Sequence, residues 1–108
     1  MIELREYRLP NGKAPFSEWL RDLRDREARA RIRVRLNRVR LGNFGDSTPL
    51  GEGLFELRLM FGPGYRVYFG REGDRLVLLL CGGDKKTQEK DIGRARAAWE
   101  DYKRRGHG

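Results

Sequence analysis

The sequence of 108 residues contains one cysteine and one histidine. A single thiol excludes a disulfide framework within the chain and a zinc site built on cysteines. Cys81 stands in an apolar run, so we expect it to be a buried structural residue. From these residues we expect neither a metal nor a cofactor.

Long hydrophobic runs are also lacking. No stretch approaches the roughly 18 apolar residues that a membrane-spanning helix needs. The first residues, Met1 to Arg5, lack the apolar core of a signal peptide. We therefore expect a cytoplasmic protein with no membrane association.

Acidic residues are outnumbered, with 16 Asp and Glu against 24 Lys and Arg, which gives a net charge of +8. A field of that sign attracts polyanions and acidic protein segments. The apolar fraction of 38% suits a folded chain with a charged surface. The length predicts one domain over residues 1–105, with a frayed tail at 106–108 that includes His107.

The first half of the chain predicts one strand and two helices. Residues 2–9 alternate as an edge strand would, and a helix follows from Pro15 to about residue 24. Asp25 is a predicted N-cap for a second helix over about 26–41, which ends at Gly42-Asn43. Residues 42–53 are predicted to form a loop. The apolar stripes of the two helices are Phe16, Trp19, Leu20 and Leu23, and then Ala28, Ile32, Leu36 and Val39.

The segment 55–69 predicts a β-hairpin with a Gly-Pro-Gly turn at 62–64. Alternation along the two strands divides their side chains between two faces. One face is apolar and builds a core, whereas the other is polar and suits a phosphate, because a guanidinium on a rigid strand matches its geometry. The polar face carries Glu56, Arg58, Arg66 and Tyr68.

The last third predicts a strand and a helix. Residues 76–81 form a continuous apolar run typical of a strand covered on both faces, and we expect it to be the central strand. Thr87 is a predicted cap of the final helix, whose apolar stripe is Ile92, Ala95, Trp99 and Tyr102. We expect Trp19, Trp99 and Tyr102 to be core residues. The element order predicts an α+β fold of about four antiparallel strands, with two N-terminal helices and a C-terminal helix packed on one face.

Three motifs in this order resemble the RelE/ParE toxin superfamily, and most closely its HigB-like, phage-derived killer-protein branch. They are Glu56-Leu57-Arg58, Tyr65-Arg66-Val67-Tyr68 and Gly83-Asp84-Lys85-Lys86-Thr87-Gln88. The resemblance covers nearly the whole chain and implies a RelE-like fold. It implies the toxin of a type II toxin–antitoxin pair that cleaves mRNA on the ribosome. ParE-like members of the superfamily inhibit DNA gyrase instead, so both targets stay open.

The resemblance also implies partners and residue roles. The partner would be a cognate antitoxin, often a helix-turn-helix protein, and operator DNA would be bound only through the complex with it. Arg66 matches the family's transition-state arginine, and Arg58 matches a basic residue on the preceding strand. Lys85 or Lys86 matches the basic pair before the last helix.

The general acid and base are left unassigned. Relatives that cleave RNA commonly place a tyrosine or histidine near the start of the last helix, where this chain has Ile92 and Gly93. Arginine is a poor base because its pKa lies above about 12. Glu56 is the candidate on the polar face, and a structural ion pair with a neighbouring arginine is the alternative. Tyr68 would orient a ribose or stack on a base, or else lie under a helix.

Seven arginines surround the apolar stripe of the second predicted helix. The simplest interpretation is a solvated face. The alternative is docking on ribosomal RNA, with Arg31, Arg35 and Arg38 as RNA-binding residues, or on an acidic antitoxin strand. A plain nucleic-acid-binding module is a third possible function, supported only by net charge.

Overall fold

The computed structural model describes residues 1–106. Eight helices and strands follow one another, with a single 3₁₀ turn at Lys85–Thr87 before the last helix. In chain order they are β1 (Glu3–Glu6), α1 (Pro15–Asp22), α2 (Arg26–Arg40), β2 (Ser47–Gly51), β3 (Leu54–Leu59), β4 (Tyr65–Glu72), β5 (Leu76–Gly83) and α3 (Gln88–Arg104). The predicted α+β class is confirmed.

The sheet has five strands in the order β1-β5-β4-β3-β2, and it is mixed. β1 pairs with β5 in parallel, whereas the other neighbours are antiparallel. The prediction of four antiparallel strands was therefore wrong in number and in the direction of β1. The edge position of β1 is confirmed. β5 is an interior strand, but β4 occupies the middle of the sheet, contrary to expectation.

The additional strand, β2, lies within the segment 42–53 that was predicted to be a loop. It pairs with β3 at the sheet edge, where Pro49 is tolerated because its missing N–H leaves no central pairing unsatisfied. The pairing is irregular between Pro49 and Gly51. Local composition predicted a loop here because a short edge strand with Pro and Gly has weak strand character.

α1 and α2 cover one face of the sheet. Asp25 caps α2 as predicted, since its side chain accepts from the N–H groups of Glu27 and Ala28. The predicted stripe of α2 is buried throughout. With α1 it packs on a cluster that includes Leu57, Leu59, Tyr65, Val67 and Phe69.

α3 covers the opposite face, so the expectation that all helices share one face was wrong. Its residues Ala95, Trp99 and Tyr102 pack on Leu54, Leu76, Leu78 and Leu80. All eight residues of β5 are buried, because helices lie on both sides of this strand.

The entry into α3 differs from the prediction as well. Thr87 occupies the N-cap position of α3 but makes no side-chain cap bond there. Asp84 instead caps the preceding 3₁₀ turn by accepting from the N–H groups of Lys86 and Thr87. Asp91 is buried where Ile92 was expected, and Ile92 is only partly buried.

Trp99, Tyr102 and Cys81 are buried as predicted, and Trp19 is partly buried against the first cluster. Gly106 lies in a turn after α3, whereas the rest of the predicted tail, with His107, falls outside the described residues. Within residues 1–106, no helix combines the length and the apolar composition needed to span a membrane.

Candidate functional site

The β3–β4 hairpin places the predicted polar side chains on the sheet face that α3 covers. Glu56 lies directly opposite Tyr68, and Arg58 lies directly opposite Arg66. Since opposite residues of antiparallel strands share a face, the alternation predicted from the sequence is confirmed. The apolar partners of the same strands face α1 and α2.

Glu56 is the centre of a buried hydrogen-bond network. Its carboxylate accepts from Arg66 Nη1 at 3.4 Å and from the Tyr68 hydroxyl at 3.1 Å. The side-chain amide of Gln88, the first residue of α3, donates to it at 2.9 Å. The Glu56 side chain is only 4% exposed. Three donors therefore fix this carboxylate, which ties β3, β4 and the start of α3 together.

Arg66 is buried with few of its donors used. Its side chain is 10% exposed, and the long bond to Glu56 is its only ion pair within residues 1–106. The Nε atom is buried and has no hydrogen-bond partner in the described part of the chain. A guanidinium carries five N–H donors. Such unsatisfied donors are uncommon in folded proteins and call for an explanation.

Tyr68 is completely buried beneath α3. Burial, followed by the charge of Glu56 and the hydrogen bond to it, raises the pKa of the Tyr68 phenol far above its ordinary value. The phenol therefore remains a neutral donor to Glu56 at physiological pH. This placement matches the alternative in which Tyr68 lies under a helix.

Asp91 and Gly83 belong to the same buried region; sequence reasoning missed Asp91 and named Gly83 only as part of a motif. Gly83 is the β5 partner of Arg66, and a Cβ at Gly83 would collide with the Asp91 carboxylate. Thr87 donates its hydroxyl to Asp91, and Arg94 Nη1 lies 3.7 Å from it. The available signal was the pair of glycines at the end of an apolar strand, which marks a close approach of another group.

Arg58 lies at the exposed side of this face. Its guanidinium pairs with Asp46 at 3.0 Å, and the two side chains are 42% and 38% exposed. An exposed pair of this kind contributes about 0–1 kcal/mol. Arg58 is therefore more accessible than Arg66.

Lys85 and Lys86 are exposed in the 3₁₀ turn before α3. The backbone N–H of Lys85 donates to the Pro63 carbonyl at 3.4 Å, and its side chain begins beside Gly64. Lys85 thus lies next to the hairpin turn, and Lys86 follows it in the chain. Within residues 1–106, neither ammonium group has an acidic partner in ion-pair distance.

The predicted RNA-binding arginines of α2 lie on the other face of the sheet. Arg31 pairs with Glu27 at 2.8 Å, and Arg38 is exposed. Arg35 donates to the backbone carbonyl of Arg58 at 2.7 Å. The structure therefore does not bring these three residues together with Arg66.

No cluster of three or more His, Cys, Asp or Glu side chains suited to a metal ion occurs within residues 1–106. The site consists instead of a buried guanidinium and carboxylate network, with exposed cations at its margin. Such an arrangement can hold an anion, because Arg66 has donors without a partner in the described residues and the exposed lysines carry positive charge beside it.

Comparison with known proteins relates the chain to a family. Residues 18–103 match the family model described as "Phage derived protein Gp49-like (DUF891)". A curated protein of Haemophilus influenzae, named only as uncharacterized, is 49% identical over 81 residues, which are 75% of this chain and 82% of that protein. The Gp49-like family is related to addiction module killer proteins and RelE-like toxins. The chain therefore belongs to the Gp49-like family of phage-derived proteins.

Proposed function

We propose that this protein is the toxin of a type II toxin–antitoxin pair and that it cleaves mRNA on the ribosome. The observation that carries the proposal is the state of Arg66. A buried guanidinium that is held by one long bond, with its Nε unpartnered, has donors ready for an incoming phosphate. Family membership supports a toxin module, since the related families are toxins.

In the proposed reaction, the ribose 2′-hydroxyl loses its proton and its oxygen attacks the adjacent phosphorus. The bond from phosphorus to the 5′ oxygen breaks, and that oxygen takes up a proton. Negative charge concentrates on the phosphate oxygens in between, and positively charged groups stabilise it. Arg66 would act from the buried side, Arg58 from the exposed side and Lys85 or Lys86 from the turn.

Glu56 acts as a positioning residue in this proposal. Its carboxylate accepts three hydrogen bonds, which leaves it poorly placed to take a further proton from a ribose. Its negative charge holds Arg66 in place before RNA arrives. Preorganisation of this kind avoids reorganising the donor during the reaction.

The experiment is cleavage of a translated mRNA by purified protein in a ribosome-containing system. Arg66→Ala is expected to cut about a hundredfold more slowly, since removing one preorganised donor costs on the order of 3 kcal/mol. Because Arg66 is buried, a Lys85→Ala/Lys86→Ala double variant tests the same site with exposed residues. Lys13→Ala/Lys90→Ala is its control, with the same loss of charge at exposed positions.

The proposal fails if the folded Arg66→Ala protein cuts as fast as wild type. It also fails if both double-lysine variants lose activity equally, because net charge alone would then explain the effect. Circular dichroism of each variant shows whether the protein is folded.

A second candidate function is non-catalytic inhibition of DNA gyrase, as in ParE-like proteins. One observation favours it: the start of α3 presents Ile92 and Gly93, where RNA-cleaving relatives have a tyrosine or histidine. A supercoiling assay separates the two functions. Inhibition of gyrase with RNA left intact would support this candidate and remove the nuclease.

A cognate antitoxin is part of either proposal. We expect a helix-turn-helix protein encoded beside this gene, with operator DNA bound only through the complex. Growth arrest after induction, relieved by the neighbouring gene, tests this expectation. A plain nucleic-acid-binding module would give no such rescue.

A further inference from the structure

A groove of about 510 Å³ runs along α2, on the sheet face opposite the Arg66 network. The end of β3 and the following residues, Leu59, Met60 and Phe61, form its other side. Its lining from α2 spans about 16 Å, or three helical turns. The α2 residues are spaced three and four apart, and they are Glu27, Ala30, Arg31, Val34, Arg35 and Arg38.

Large apolar side chains are exposed in this groove. Met60 is 82% exposed and Val34 is 49% exposed. The Phe61 ring lies beneath the Arg31 guanidinium, 4.8 Å from ring centroid to Cζ. Apolar surface gathered in a groove and bordered by charges marks a place where another molecule binds.

The border of the groove has an excess of positive charge. α2 carries seven arginines and a single acid, Glu27, which already pairs with Arg31. Arg31, Arg35 and Arg38 follow one another at spacings of four and three, where like charges destabilise a helix. Arg38 has no ion-pair partner within residues 1–106. An acidic partner would remove this repulsion.

Arg35 shows that part of the border is fixed in advance. Its guanidinium donates to the carbonyls of Arg58 at 2.7 Å and Phe44 at 3.3 Å. A side chain ordered before binding loses little conformational entropy when a partner arrives. The groove is therefore preorganised on the side that faces β3.

Two features favour a peptide over RNA as the occupant. Exposed Met60 and Val34 are aliphatic and line the same groove as the arginines, so a ribose-phosphate chain would leave them uncovered or would bury them against charge. The Phe61 ring carries the Arg31 guanidinium on one face and packs against the Tyr65 ring at 5.5 Å between centroids, which leaves it poorly placed to stack on a base. An amphipathic helix satisfies both the apolar floor and the charged border.

We infer that this groove binds an amphipathic α-helix of a partner protein, with an apolar stripe on Val34 and Met60 and with acidic residues meeting Arg31 and Arg38. Insofar as that partner is the antitoxin, the inference rests on the proposed function. Its test measures binding alone. A protein that does not cleave RNA could therefore still bind the peptide, and a protein that does not bind the peptide could still cleave RNA.

The test is a selection from a random library of 16-residue peptides displayed on phage, with the full chain as target. Phage that bind the Val34→Glu/Met60→Glu double variant are removed first. We expect the recovered peptides to carry Leu, Ile or Phe at helical spacing with Asp and Glu beside them. Fluorescence anisotropy should show that Val34→Glu and Met60→Glu each reduce the affinity for the best peptide at least about tenfold.

Leu41→Glu is the matched control, since Leu41 is 75% exposed and lies outside the groove. It introduces the same charge and should leave peptide affinity unchanged. Unaltered thermal unfolding of all three variants shows that the fold is intact.

Three results would overturn the inference. The first is a selection that enriches no peptide, or only peptides without apolar spacing. The second is equal weakening by Leu41→Glu, which would indicate a general charge effect. The third is a polyuridine RNA that binds wild type and loses affinity with the groove variants, which would make the groove an RNA site.

Discussion

Breaking the pair between Glu56 and Arg66 should destabilise the protein strongly, and the size of the effect follows from its burial. The side chains are 4% and 10% exposed. Removing one partner of a buried pair leaves an uncompensated charge, which costs about 3–5 kcal/mol. A domain of this size has a total stability of about 5–15 kcal/mol. Replacing either residue of the pair alone therefore removes a large part of the total stability.

The two substitutions differ in what they leave behind. Arg66→Met leaves Glu56 with two donors, Tyr68 and Gln88, so the cost should fall near 3 kcal/mol. Glu56→Gln leaves Arg66 without an anion, and the amide has one acceptor oxygen for the remaining donors. An unsatisfied buried group adds about 1–3 kcal/mol. We therefore expect Glu56→Gln to cost more.

The assay is urea unfolding of wild type, both single variants and the double variant. Because the double variant removes both charges, it should cost less than the sum of the singles by about 0.5–3 kcal/mol. Asp46→Asn provides the control, since it breaks the exposed pair with Arg58 and should cost at most about 1 kcal/mol.

The reasoning is refuted if Glu56→Gln costs no more than Asp46→Asn, or if the single effects add within error. Either outcome would mean that the pair is solvated in solution. The result also sets the conditions for the cleavage assay with Arg66→Ala, which must be run well below the midpoint temperature of that variant.

Three further predictions concern stability. Gly82→Ala should destabilise the fold by about 1–3 kcal/mol, because a Cβ there would collide with the Trp19 ring. Gly93 has open space around it, so Gly93→Ala should stabilise the fold by about 0.5–1 kcal/mol. Thermal unfolding measures both effects. Burial raises the pKa of the Cys81 thiol from 9.0 to about 12. The contribution of the protonated thiol to the free energy of unfolding is therefore complete below pH 9 and is lost as pH rises toward 12. Urea unfolding at several pH values should then show a slope of up to about 1.4 kcal/mol per pH unit that is smaller in Cys81→Ala. Asp25→Ala should remove the N-cap of α2 and cost about 0.5–2 kcal/mol in the same assay, and an unchanged midpoint would contradict the capping role.

The elements that sequence reasoning located correctly are those with strong local signals. α2 was predicted within one residue at its C-terminal end, because its apolar spacing, the Asp25 cap and Gly42 all agree. The β3–β4 hairpin followed from alternation on both sides of a Gly-Pro-Gly turn. Each signal lies within a few residues of the structure that it specifies.

The errors concern contacts between distant parts of the chain. Nothing in residues 3–6 states that β1 pairs in parallel with β5, more than 70 positions away. The position of α3, in contrast, could have been predicted, because the apolar run of β5 already implied cover on both faces. With α1 and α2 on one side, the remaining helix had to supply the other.

The candidate site was only partly predicted, because some of its features depend on contacts between distant parts of the chain. Alternation placed Glu56, Arg66 and Tyr68 together, but their depth of burial depends on α3 above them. Gln88 and Asp91 were missed because their roles arise from the packing of α3 on the sheet. A polar residue in the first turn of a helix gives no sign of which partner it will contact.

The two proposed surfaces lie on opposite faces of the same hairpin, and this separation limits how a partner would control activity. Arg66 faces α3, whereas Met60 and Val34 face the groove beside α2. A helix bound in the groove would not touch Arg66 and would leave Lys85 and Lys86 exposed. Inhibition by such a partner would therefore act by blocking approach to a large target such as the ribosome. A short RNA should still reach Arg66 in the complex, because Arg66 and the groove lie on opposite faces of the sheet.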